Sequence, residues 1–162
     1  MDDFIKERLE KEDKKIASVK RRFLAYFIDY VICFILIFVI YSNLISEDTI
    51  NKLRLAIQEQ DIELFNSILI PYINFLLITR FSYLLLFFYL YGATLGNIIT
   101  KTKIISYENF DSPNFLASLY RAIVFMICDI FLNGVLFLSI FLNKTNRNFA
   151  DVASKSVVIE VD

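Results

Sequence analysis

Of four charged residues inside long apolar stretches, three read as lying near the middle of a membrane: Asp29, Arg80 and Asp129. They are the residues whose type and placement could do chemistry. A charge near the centre of a bilayer costs about 2.5–3.5 kcal/mol on insertion scales, so each is a candidate for a role. A carboxylate there can hold an ion pair that sets helix register, or it can pass a proton or an ion along a polar path. Arg80 needs an acid at its own depth, and Asp29 and Asp129 are the two available. Asp129 precedes Asn133 by four residues, which places both on one helix face. Asp29, Arg80, Asp129 and Asn133 therefore form a candidate intramembrane polar site. Pairing that fixes register is favoured over a conduit, because a charge pair locks helices without moving anything.

A second spacing involves Arg22. It precedes Asp29 by seven residues, with Ala25 and Tyr26 between them on the same helix face. Seven residues rise about 10.5 Å, so the two side chains cannot meet on one helix. Each needs a partner from another element.

The elements that carry these residues follow from composition. Of 162 residues, 57% are apolar and 22% are charged. The apolar excess over ordinary soluble domains is segregated into three runs, 23–41, 68–91 and 115–142. About twenty apolar residues cross a hydrocarbon core, and runs this poor in charge are apolar all round. The chain reads as an all-α membrane protein with two transmembrane helices and a third apolar segment. There is no His, there are three Gly, and the net charge is −1. No metal site, cofactor or nucleic-acid partner is expected from such a chain, and no catalytic constellation is visible. The expectation is that it is not an enzyme. Cys33 and Cys128 lie inside apolar runs and read as core residues.

Orientation follows from Lys and Arg. Residues 1–16 form a charged tail, read as a solvated helical arm with Glu7–Lys11 and Glu10–Lys14 in the favourable i,i+4 order. Residues 15–22 carry +4, from Lys15, Lys20, Arg21 and Arg22, which places the N-terminal end in the cytoplasm. Residues 42–67 are acidic and read as the outer loop, with Ile50, Leu53 and Ile57 at the spacing of a short amphipathic helix. Residues 92–114 return to the cytoplasm.

The third run holds 28 residues, about 42 Å as one helix and longer than the core is thick. Asn133-Gly134 within it suits a turn, and the basic flank after it favours the cytoplasm. A helical hairpin broken near Asn133-Gly134 is favoured; one long tilted helix is the alternative. The C-terminal segment 143–162 is then cytoplasmic. Thr102–Ser106 and 156–161 are β-branched and could pair as a two-stranded cytoplasmic ribbon if both lie on one side.

Four segments resemble one family. Residues 22–29, with Arg22, Ala25 and Asp29, look like the opening signature of the RDD family, named for one arginine and two aspartates. Thr94-Leu95-Gly96-Asn97 is similar to its TLGK segment, with Asn97 where lysine is usual. Leu119-Tyr120-Arg121 matches the arginine that opens the third segment. Residues 146–158 are similar to the closing segment, with Asp151 as the second signature aspartate and Lys155-Ser156 in place of Gly-Thr. The resemblance spans about residues 17–160, read as one transmembrane domain. It implies a multi-pass protein of the bacterial inner membrane whose molecular role is generally unassigned. Transport is the common suggestion, with cation–proton exchange for some members.

Shared depth then groups Arg22, Thr94, Arg121 and Asp151 at the cytoplasmic interface. Two functions follow as expectations. One is a transporter of a small ligand or ion, built as a homo-oligomer because so few segments enclose no pathway. The other is a non-transporting adaptor that binds a partner protein or membrane lipids.

Overall fold

The computed structural model describes residues 2–132 and 135–161. The elements run α1 (Asp2–Lys11), α2 (Val19–Leu44), α3 (Glu47–Gln58), α4 (Ile62–Tyr91), α5 (Leu95–Ile99), β1 (Thr102–Ser106), α6 (Phe115–Leu132), a 3-10 helix (Val135–Leu142), α7 (Phe149–Ala153) and β2 (Ser156–Glu160). The turn expected at Asn133-Gly134 lies outside the described residues. α2 and α4 have 26 and 30 residues, and both are long and apolar enough to cross a membrane. Only 11% of the most apolar window of each is buried, so most of their apolar surface faces outward, as lipid-facing helices require. α4 runs through Pro71 without a break in the helix. The helices extend beyond the apolar runs read from the sequence, because Lys20 to Arg22 and Ile62 to Ser67 continue the turns into polar residues.

The chain forms two compact units, Met1–Asp29 with Phe81–Asp162, and Tyr30–Arg80. In the second unit, the amphipathic helix expected between the membrane runs is α3. Ser46 caps it by accepting from the Thr49 N–H, and Gln60 ends it at φ 56°. It is a separate helix, and Asp61 starts α4 by accepting from the Leu64 N–H at 2.9 Å. The Tyr41 hydroxyl donates to the Tyr72 carbonyl, and their rings lie 5.6 Å apart. An apolar groove of about 230 Å³ opens beside them, walled by Ile50, Leu53, Leu69 and Leu76.

In the first unit, β1 and β2 pair antiparallel, with Ile104 opposite Val158 and Ile105 opposite Val157. Two strands alone are marginal, so both faces need cover. Side chains alternate along a strand, and this ribbon uses both of its faces. Ile105, Val157 and Ile159 form one apolar cluster with Ile5 and Leu9 of α1. The opposite face carries Ile104, Val158 and Ser156, each at most 2% exposed.

The N-terminal tail is helical, but it is not a solvated arm. Ile5 and Leu9, four residues apart, are each 1% exposed beneath the charged surface of α1. Arg8 donates to the carbonyls of Tyr107 and Glu108, and Arg147 pairs with Asp2 at 2.6 Å. Residues 15–17 continue as an edge of the ribbon, with Ala17 donating to Val158 and Glu160 donating to Lys15. Among the described residues, α1's ion pair along its own length is Lys6–Glu10 rather than either pair expected from the spacing. Asp13 turns the chain at φ 53°, so Lys14 lies beyond the helix.

Candidate functional site

Asp151 is the most completely enclosed charge in the first unit, at 0% exposure. Its position follows from local sequence. Asn148 caps α7 and Asp151 is its third residue, so the two exchange backbone-to-side-chain hydrogen bonds at 2.8 Å each. The cap turns the carboxylate inward, where two guanidinium groups meet it. Arg22 of α2 donates to Oδ2 at 2.5 Å, and Arg121 of α6 donates to Oδ1 at 2.5 Å. Both arginines are buried, at 5% and 3% exposure. Arg22 also donates to the Asn146 carbonyl. Arg121 also donates to Ser156 Oγ at 2.8 Å, and its guanidinium stands 5.0 Å from the Phe88 ring centre. One carboxylate thus joins α2, α6 and α7, and Arg121 carries the connection on to β2.

Burial by itself pushes the Asp151 carboxyl up. Arg121, then Arg22, then the Asn148 N–H outweigh that and hold it below its ordinary value of 3.8.

Asp29 does a parallel job one level away. Tyr83 donates to its Oδ1 at 2.7 Å, the Gly96 N–H to the same oxygen at 2.8 Å, and Thr94 Oγ1 to Oδ2. Thr94 at the same time caps α5 by accepting from the Asn97 N–H. Tyr83 accepts from the Leu95 N–H at 3.2 Å. This clasp needs a glycine. A Cβ on Gly96 would stand 2.1 Å from the Ala25 carbonyl oxygen and 2.8 Å from Asp29 Cγ. The small residue at 25 and the absent side chain at 96 let α5 lie directly on α2.

The structure therefore divides the residues grouped by depth. Arg22 and Arg121 converge on Asp151, while Thr94 serves Asp29. Between the two clasps lies a small polar cavity of about 30 Å³, bordered by Arg22, Asp29, Thr94, Asn97, Arg121 and Asn148. Such a volume holds one or two waters.

Three of the four residues grouped as an intramembrane site are among the described residues. Asp129 belongs to the first unit and accepts from the Tyr26 hydroxyl at 2.8 Å. Arg80 belongs to the second unit, where its guanidinium lies 5.9 Å from the Tyr30 ring centre. Asn133 lies outside the described residues. Among the described residues no group of three or more Asp, Glu or Cys could hold a metal ion.

Four positioning residues escaped the sequence reading: Tyr26, Asn148 and Ser156 entirely as bonding partners, and Tyr83 as the donor to Asp29. Asn148 had a readable signal, because Asn followed three residues later by Asp is a capping pattern. Ser156 and Tyr26 had none, since an isolated hydroxyl in an apolar context does not announce its acceptor.

Comparison with known proteins gives one positive result. The sequence pattern described as RDD family matches residues 16–155. No curated protein and no solved structure matches the chain.

Proposed function

The chain belongs to the RDD family, and from that premise we propose that it is a multi-pass protein of the bacterial inner membrane acting as a non-transporting adaptor. Its signature charges build a fixed cytoplasmic cap on the membrane helices, and the cap presents surface to a partner. The observation that carries this reading is the engagement of both signature aspartates. Asp151 is gripped by two arginines and a backbone N–H, and Asp29 by two hydroxyls and a backbone N–H. A relay carboxylate has to release its donors in each cycle. Here, releasing them would unclasp α5 or α7 from α2.

The strand pairing supports the orientation. A bilayer core about 30 Å thick cannot lie between paired strands. β1, β2 and residues 15–17 are hydrogen-bonded to one another, which argues for one side for all three. α2 and α4 carry the chain out and back, so the stretch from Phe115 to Leu142 returns to the side it left. That favours a re-entrant path or hairpin over a single tilted crossing. Such a path is tolerated where protein or water satisfies its turn. The basic residues before α2 put this side in the cytoplasm. The check is thiol labelling of intact cells, with Cys33 and Cys128 replaced by Ala and one Cys added after Asp162. The added thiol is expected to stay protected from an impermeant reagent until lysis. Labelling in intact cells would overturn the shared side.

Transport by an oligomer is the second reading, and the polar cavity beside Asp29 favours it. One guanidinium nitrogen of a residue that lines it, Arg121 Nε, is buried without a hydrogen-bond partner among the described residues. The cavity's size fits water or a bare ion and no organic solute. Purified protein in liposomes with a pH-sensitive dye separates the readings. No proton flux driven by Na⁺ or K⁺ gradients is expected. A flux that a folded Asp29→Asn variant abolishes would replace the adaptor with a transporter.

A further inference from the structure

The geometry points to a headgroup site for an anionic phospholipid, in a lysine-lined cleft on the outer side of the cap. It rests on the cytoplasmic placement argued above. The cleft has a volume of about 320 Å³, at the lower end of the range for small-molecule sites. Three separate segments bring a cation to it: α1 supplies Lys6, the extended stretch before α2 supplies Lys14 and Lys15, and the loop after the 3-10 helix supplies Lys144. Asn146 adds an amide and Glu10 is the one acid on the wall. Leu9 and Ile16 form its apolar floor.

Three of the four lysines have a carboxylate nearby, and their ammonium groups stay accessible. Lys6 stands 3.9 Å from Glu10, Lys15 3.3 Å from Glu160 and Lys144 2.9 Å from Asp3. All three lysine side chains are more than half exposed, and the Lys6–Glu10 and Lys144–Asp3 pairs, exposed on both sides, hold weakly. Lys14 makes no ion pair among the described residues. A phosphodiester has two free anionic oxygens and can accept from several of these ammonium groups at once.

The position selects a lipid over a free anion. Lys144 follows Leu142 by two residues, and Phe141 and Leu142 are 68% and 80% exposed. An apolar edge that open cannot face water without cost, so it marks where acyl chains begin. Lys15 precedes the first residue of α2 by four. A headgroup phosphate can therefore occupy the cleft while its chains stay against the apolar edge. Basic groups placed directly beside a membrane helix attract anionic lipid through the leaflet's negative surface potential.

The test uses the full chain in nanodiscs of phosphatidylcholine, with and without phosphatidylglycerol, reading the midpoint of thermal unfolding and the lipid retained in native mass spectrometry. Phosphatidylglycerol is expected to raise the wild-type midpoint and to be retained. In Lys14→Gln/Lys144→Gln the shift is expected to fall by more than half, while Lys52→Gln, on α3, keeps it. The single variant Lys14→Gln touches no ion pair and serves if the double variant folds poorly. An equal shift in wild type and in the cleft variants would overturn the site. So would an equal shift from inorganic phosphate added to phosphatidylcholine nanodiscs, since the ligand would then need no lipid. These results stand apart from the thiol labelling. A tail found outside removes the premise, whereas an unchanged lipid shift with the tail inside removes the cleft alone.

Discussion

Asp151→Ala lowers the stability of the folded chain by roughly 3–5 kcal/mol, the cost of breaking a buried ion pair by removing one partner. The size of the effect comes from what is left behind. Arg22 and Arg121 are 5% and 3% exposed, so both guanidinium charges would remain buried without their carboxylate. α7 would also lose half of its capping box. Asp151→Asn separates the two contributions, because the amide oxygen can still accept from the Asn148 N–H but carries no charge. Equilibrium unfolding in detergent is the measurement, followed through a double-mutant cycle with Arg22→Ala. A coupling of about 0.5–3 kcal/mol is expected between contacting groups of this kind. Independent losses at the two positions would disprove the pairing.

The same carboxylate gives a pH dependence whose sign is fixed. Its folded value lies below the ordinary 3.8 that it has when the chain is unfolded. The stabilisation is therefore fully present above the unfolded value, and it is lost as the pH falls through the folded one. Stability attributable to Asp151 should be flat from neutral pH down to the ordinary carboxylate range and decline below it. In Asp151→Asn that decline should be smaller than in wild type.

Gly96→Ala is the second large effect. The added methyl would stand 2.1 Å from the Ala25 carbonyl oxygen and 2.9 Å from its carbon, so its tightest clash is with backbone that cannot turn away, and it would also press on Asp29 Cγ at 2.8 Å. α5 has to lift off α2, and the Gly96 N–H then loses Asp29, to which it donates at 2.8 Å. Overpacking usually costs about 1–3 kcal/mol, and a contact with fixed backbone belongs at or above the top of that range. Thr94 would lose Asp29 as its acceptor and the Leu95 N–H would lose the Tyr83 hydroxyl, so the segment from α5 to β1 should become sensitive to protease. A Gly96→Ala protein within about 0.5 kcal/mol of wild type would mean that α5 does not rest on α2 as described.

Much of the architecture is legible along the chain because it is set by local and one-dimensional physics. Residues 23–41 and 68–91 must be helices of membrane length, since their apolar residues leave no polar face. Thr102–Ser106 and the β-branched residues after Ser156 can be read as strands, and the structure pairs them. The family resemblance could be read from four short segments, and the matched pattern covers residues 16–155.

The fate of α1 shows the limit. Its charge count reads as a solvated arm, yet Ile5 and Leu9 form a two-residue stripe that only a partner surface makes meaningful. Ile105, Val157 and Ile159 supply that surface once the ribbon exists. The site shows the limit again. Depth in the membrane is a one-dimensional quantity, and by it the sequence leads to the expectation that Arg22, Thr94, Arg121 and Asp151 share one level. Which donor reaches which carboxylate depends on lateral packing. The sequence says little about this, because residues 30 to 129 apart meet only after the helices have docked. What the sequence determined by itself is therefore where the chain is apolar and which charges lie inside those runs. Only the tertiary structure decided that Asp29 holds α5, that Asp151 holds α7 and that the charged tail is part of the cap. Those outcomes rest on close approaches, such as Gly96 on Ala25, whose geometry no periodicity encodes.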